Sequence, residues 1–271
     1  MPGQGPVEFV RVGAYGSGPY FDVAKSGNYV FCAARSGGVD VIDVQNPAQP
    51  LFVGRIAESR ATGVFVLDNR LYVTGSGLGI WDISNPLAPV QLGRYDGTVL
   101  SGGGYDLFVA DPIACLVDFT GLHLIQVSDP QAPEPVGFYA LSGANDVYVV
   151  GSMAFVCSSA EGLHIVDLED PANPLTISIW PGDGVDNADG VWADGTRAFL
   201  LNQVDGATRM DILDVSIPSD PSHLGTYVTA SGYLDFVSVI GNLAYLTDAF
   251  QFQIVDVTDP ANPHLKGAAN T

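Results

Sequence analysis

Short apolar runs separated by compact polar turns return along the chain in a fixed order. The stretches FDVAKSGNYVFCAA (21–34), GVFVLDNRLYVTG (63–75), YDLFVADPIACLV (105–117), NDVYVVGSMAFVC (145–157), DGVWADGTRAFLL (189–201) and LDFVSVIGNLAYLT (234–247) each hold two apolar segments around a reversal. Ser26-Gly27-Asn28, Asp68-Asn69, Asp111-Pro112 and Asp194-Gly195 supply residues that tolerate or preset hairpin dihedrals. Each stretch is followed by a second motif: VIDVQNPAQP (41–50), IWDISNPLAP (80–89), LIQVSDPQAP (124–133), IVDLEDPANP (165–174), ILDVSIPSDP (212–221) and IVDVTDPANP (254–263). The third residue of that motif falls at Asp43, Asp82, Gln126, Asp167, Asp214 and Asp256, a near-constant period of the length that marks propellers and solenoids.

Each repeat predicts four strands. In the first they are an inner strand around Val23, a second over Tyr29–Ala33, a third over Val39–Val44 and an outer one over Leu51–Ile56. Second and third strands are nearly continuous in Val, Ile, Leu, Phe and Ala, as expected where both faces of a sheet are covered. Proline has no N–H to extend a ladder, so the double-proline corner, Asn46-Pro47 with Pro50 in the first repeat, ends one strand and re-aims the next. The Asp before the corner is placed to accept its orphan N–H groups. The expected fold is all-β: a single six-bladed β-propeller over residues 1–271 with four-stranded antiparallel blades. Closing the ring removes exposed edges. VEFVRVGAY (7–15) resembles the outer-strand pattern VQLGRY (90–95) and is expected to complete the sixth blade, with HLKGAANT (264–271) competing for that place. An open horseshoe is the alternative architecture.

The stretches VDVID (39–43), HIVDL (164–168) and QIVDV (253–257), followed by the [ND]-P-x-x-P corner, resemble the LVIVD-repeat family over nearly the whole chain. Gln126 and Ile217 depart from its pattern. The resemblance implies a β-propeller, often surface-associated or exported in bacteria and archaea, with generally unassigned activity. Its motif is structural and brings no active site with it.

Composition narrows the partners. Ten Lys and Arg face 30 Asp and Glu, a formal charge of −20, which argues against a nucleic acid or an anionic membrane. No apolar run approaches the roughly 18 residues of a membrane span. The start MPGQGPVEFV lacks the features of a secretory signal; an extracellular, cell-surface or periplasmic place is implied if a signal has been removed, a cytoplasmic one otherwise. Cys32, Cys115 and Cys157 lie inside apolar runs and read as buried free thiols.

In a propeller the loops from outer strand to next inner strand gather at one mouth of the channel. Here they are 14–22, 57–63, 96–106, 140–146, 180–189 and 228–235. Asp22, Asp106, Asp146 and Asp235 end four of them, Asp189 lies near the equivalent point and Gly63 is the exception. Carboxylates facing one channel about 7 Å apart repel by roughly 2 kcal/mol per pair. Either a divalent cation, Ca²⁺ or Mg²⁺, or backbone donors would offset that. Tyr20, Tyr105, Tyr233 and Trp192 read as aromatic walls of a pocket or as plugs of the channel mouth. Asn145 and Asp186 add polar groups beside them. Arg60, the only basic residue in these loops, is either an anchor for an acidic ligand or a partner for an aspartate. The spacing of Asp183, Asp186 and Asp189 is not that of an EF-hand, and no G-x-S-x-G, H-E-x-x-H, P-loop or C-x-x-C occurs.

Two functions follow. One is a non-catalytic binding or scaffold module presenting the loop-rich face to a small molecule, a glycan or a protein. The other is a lyase, hydrolase, isomerase or cyclase working there with carboxylates and tyrosines, with or without a divalent metal.

Overall fold

The computed structural model describes residues 11–16, 19–97, 104–181, 187–204, 206–229, 234–248 and 251–270. They build six four-stranded antiparallel sheets, each from one continuous stretch of chain in the order inner, second, third, outer. The first sheet is β1 (Asp22–Ser26), β2 (Tyr29–Ala33), β3 (Val39–Asp43) and β4 (Leu51–Ile56). The second is β5 (Gly63–Leu67), β6 (Arg70–Thr74), β7 (Leu78–Asp82) and β8 (Val90–Tyr95). The third is β9 (Asp106–Ala110), β10 (Ile113–Asp118), β11 (Gly121–Gln126) and β12 (Glu134–Ala140). The fourth is β13 (Ala144–Val150), β14 (Met153–Ser158), β15 (Gly162–Asp167) and β16 (Leu175–Trp180). The fifth is β17 (Asn187–Ala193), β18 (Arg197–Val204), β19 (Ala207–Asp214) and β20 (Ser222–Val228). The sixth is β21 (Phe236–Ile240), β22 (Leu243–Thr247), β23 (Gln251–Asp256) and β24 (His264–Asn270). This is the expected blade architecture; in the first repeat the second and outer strands have the expected bounds, and the third ends at Asp43, one residue before the expected Val44.

The described residues fall into two compact units. One, residues 11–144 with 171–173, holds the first three sheets; the other, 145–170 with 174–270, holds the last three. Within the first, β1 lies against β5 and β5 against β9. Phe31, Val41, Val64, Leu71 and Ile83 fill the space between its first two sheets, and Tyr72, Ile80, Leu107, Leu116 and Val127 the next. In the second unit, Phe155, Ile165, Val191, Leu200 and Val215 form one such layer and Phe199, Met210, Val237, Leu246 and Val257 another. Second and third strands therefore bury both faces, which is why their sequences do not alternate. Cys32, Cys115 and Cys157 are buried free thiols. Burial pushes the Cys115 thiol up to about 12 and, with the charges of Asp40 and Asp22, that of Cys32 to about 11, so neither is a reactive thiolate.

The corner works as its residues suggest. Asp43 Oδ1 accepts the Gln45 N–H at 2.7 Å, and Asp82, Asp167, Asp214 and Asp256 accept the amide two residues on at 2.8–2.9 Å. A β-bulge precedes the corner in all six sheets, between Val41/Ile42, Ile80/Trp81, Leu124/Ile125, Ile165/Val166, Ile212/Leu213 and Ile254/Val255. The extra residue sits on the outer strand. There Val53, Leu92, Ile177 and Leu224 turn inward onto the neighbouring core, the re-aiming that a bulge performs.

One expectation is corrected. The fourth position of the sixth sheet belongs to β24, whose Gln251↔Asn270 to Asp256↔His264 pairing repeats the bulged register of the other five. The corner Asp259-Pro260 already delivers a complete outer strand there, so no N-terminal strand is needed to finish that sheet. Residues 11–16 are not in a strand, and 7–10 lie outside the described residues. The likeness of VEFVRVGAY to an outer strand has a different meaning. A side chain at Gly13 would overlap the Pro47 carbonyl oxygen, just as one at Gly93 would overlap that of Pro130 and one at Gly137 that of Pro171. Gly13 thus occupies against the first corner the seat that outer-strand glycines occupy against the third and fourth.

Candidate functional site

The loop aspartates are first of all backbone clamps. Asp22 Oδ1 accepts the Val23 N–H at 2.6 Å and its Oδ2 accepts Val64 N–H on the next inner strand at 2.7 Å. Asp146 repeats this in the second unit, with Val147 at 2.8 Å and Val191 at 2.7 Å. Each carboxylate ties two neighbouring inner strands, and backbone donors supply the offset that their charge demands. Gly63 breaks the sequence pattern because nothing larger fits: a Cβ there would stand 2.9 Å from Thr74 Cγ2 and 3.0 Å from Leu107 Cδ2.

Asp189 stands out of line with Asp22 and Asp146. The β17–β18 register slips between Ala188 and Gly190, so Gly190 takes the clamp position beside Asp146 and Asp189 projects from the bulge towards Gln203 Nε2, 3.4 Å away. Asn145 donates Nδ2–H to the Ala188 carbonyl at 3.0 Å. Asp106 begins β9 opposite Val117. Asp235 lies at the surface before β21; partial burial of its carboxyl, then the charge of Asp248, raise it above its ordinary value. Tyr20 donates to the buried Asp40 at 2.8 Å, beside the 2.6 Å ion pair of Asp40 with Arg55. Trp192 packs on Tyr148 and Phe199 at ring separations of 5.7 Å and belongs to the core. Asp186 and Tyr233 lie outside the described residues. Among the described residues no three Asp, Glu, His or Cys side chains come close enough to share one ion.

Two of the sequence candidates do meet. Arg60 and Tyr105 line a cavity of about 430 Å³ in the first unit, together with Arg35, Ser36, Thr62, Gly75 and Gly104. Three sheets contribute, and their loops are tied to one another. Arg35 N–H donates to Ala61 O at 2.8 Å and Ala61 N–H returns to Arg35 O at 3.2 Å, a two-residue bridge between the first and second sheets. Thr62 Oγ1 donates to Gly104 O at 2.5 Å and Gly104 N–H to Gly75 O at 2.8 Å, joining the second sheet to the third. Packing at this floor is tight: a Cβ on Gly75 would reach 2.5 Å from Arg60 O. No histidine lines the cavity; His123 and His164 are buried within their third strands.

Arg35, Ser36 and Gly75 escaped the loop inventory because they belong to turns between second and third strands, which share this face with the outer-to-inner loops. A signal was present. Arg35 is a charged residue set directly after FCAA, where the second repeat has Ser76 and the fourth Ser159.

No curated protein matches the chain in sequence. Solved structures match its architecture at low identity. A Bacteroides uniformis protein provisionally assigned as a 6-phosphogluconolactonase has a TM-score of 0.74 at 10% identity, over 95% of this chain and 90% of that one. A protein from Lactobacillus plantarum gives 0.74 at 10%, over 93% and 88%. The WD40 β-propeller domain of Doa1 gives 0.71 at 14%, over 93% and 82%. At such identities the likeness is one of fold. The LVIVD repeat pattern matches residues 17–58, 59–97, 143–180, 187–229 and 231–271. With the repeats covering most of its length and six four-stranded antiparallel blades, the chain belongs to the LVIVD repeat family and is a six-bladed β-propeller.

Proposed function

We propose that this protein is a non-catalytic binding propeller whose ligand site is the cavity bounded by Arg35, Arg60, Thr62 and Tyr105. The observation that carries this reading is the construction of the cavity. It has the size of a small-molecule site, it draws side chains from three sheets, and inter-sheet hydrogen bonds hold its floor. Such a site is preorganised, so little ordering opposes binding. Meanwhile the clamp carboxylates Asp22 and Asp146 are engaged with backbone amides instead of being turned out towards a reactant.

A thermal-shift screen with monosaccharides, sugar acids and nucleotides as probes tests it. At least one class is expected to raise the melting temperature, and Tyr105→Ala, which removes a half-exposed wall, is expected to abolish that shift while leaving the circular dichroism spectrum unchanged. A shift that survives Tyr105→Ala would place binding elsewhere.

One observation favours an enzymatic reading instead. The raised Asp235 carboxyl, with Asp248 beside it, has the character of a proton donor. Sugar-lactone hydrolysis, prompted by the Bacteroides uniformis neighbour, is the reaction to assay; turnover lost in Asp235→Asn would support this reading, and no turnover would count against it.

A further inference from the structure

We infer that the cavity takes a small molecule bearing a carboxylate or phosphate group, gripped by Arg35 and Arg60. This rests on the reading that the cavity binds a ligand, and it adds the ligand's chemical class.

The backbone points to it first. Among the described residues only three that are not glycine have a left-handed backbone: Asp68, in a hairpin turn, and Arg35 and Arg60, with φ of 47° and 58°. Long side chains rarely adopt this region, and glycine would make the same turns without strain, as Gly38 does at φ 79° three residues after Arg35. Strained positions of this kind gather at ligand clamps. Both arginines line the same cavity.

Charge points the same way. The protein carries only ten basic residues, and Arg55, Arg94, Arg197 and Arg209 are in ion pairs with carboxylates of their own or a neighbouring sheet. Arg35 instead sets its guanidinium carbon over the Phe21 ring, 3.9 Å from the centroid, a cation–π contact that holds the side chain without neutralising its charge. Arg60 adjoins Ala61, the residue bridged to Arg35, so the two cations spring from one locked pair of backbone strands. An oxyanion between them gains from both, by the forked geometry that suits carboxylate and phosphate. Ser36 and Tyr105 line the same cavity, and both carry a hydroxyl able to donate.

The test is calorimetry of the full chain with two probes, inorganic phosphate and citrate. One or both should bind saturably, phosphate alone indicating a phosphate ligand and citrate alone a carboxylate. Arg35→Gly and Arg60→Gly should each weaken that binding about ten- to hundredfold. The melting temperature of both variants should be equal to or above that of the native protein, because glycine accepts the left-handed backbone. Should either glycine variant fail to fold, Arg35→Asn or Arg60→Asn, which also tolerates that region, replaces it. Binding of neither probe below about 10 mM, or binding indifferent to both substitutions, overturns the inference. A neutral sugar whose binding needs Tyr105, with neither anion bound, would refute the ligand class and leave the site standing. Loss of any Tyr105 dependence would refute the site itself.

Discussion

Five landmark aspartates hold the amide two residues on, and the one landmark that is not an aspartate shows what that bond contributes. Gln126 stands there in the third sheet with its Oε1 buried and no hydrogen-bond partner. That oxygen takes no counterpart of the amide bond that the five aspartates accept. Gln126→Asp should therefore recover about 1 kcal/mol and raise the melting temperature by roughly 2 °C, measured by calorimetry. The role of these aspartates was legible in the sequence because they recur in one turn context. Arg35 was not. Nothing in a single sequence tells that a residue after an apolar strand has a left-handed backbone, or that a turn between second and third strands meets Arg60 across a cavity.

At the scale of the element, the same letter carries different weight. Gly54 in FVGRI and Gly93 in QLGRY hold equivalent places on outer strands. Gly93 fits under the Pro130 carbonyl with no room for a methyl group, whereas a Cβ on Gly54 would meet nothing within 4 Å. Urea unfolding should show Gly93→Ala destabilised by about 2 kcal/mol and Gly54→Ala neutral or slightly more stable. Strand positions and corner function could be read from the repeat, since they depend on local chemistry. The bulges and the glycine seats could not, because they arise from how one sheet meets the next. Asp189 shows the cost of that blindness: read as a member of the aspartate set, it is displaced by a one-residue slip in β17.

For the molecule as a whole, proton linkage sets the acid response. Burial holds the His164 imidazole below its ordinary 6.5, with Glu161 opposing, so the unfolded chain takes that proton first and stability falls as pH drops through that value. Asp256, held at about 2 chiefly by Thr258, and Asp82, Asp194 and Asp214, held down by their turn hydrogen bonds, stabilise the fold above the ordinary carboxylate value of 3.8; that is lost on further acidification. Asp235, raised by burial and by Asp248, runs the other way and offsets part of this. Melting temperature followed from pH 8 to pH 3 should fall in two stages, and His164→Leu should remove the earlier one. The six-part plan was visible from the repeat alone, even across residues 98–142, which the family pattern passes over and where β9 to β12 nonetheless form a complete sheet. Because no strand in any of these sheets is borrowed from a distant part of the sequence, a ribosome releases each one whole before starting its successor. Order can then keep pace with translation, and an unfinished chain need leave no orphan edge waiting for a partner not yet made.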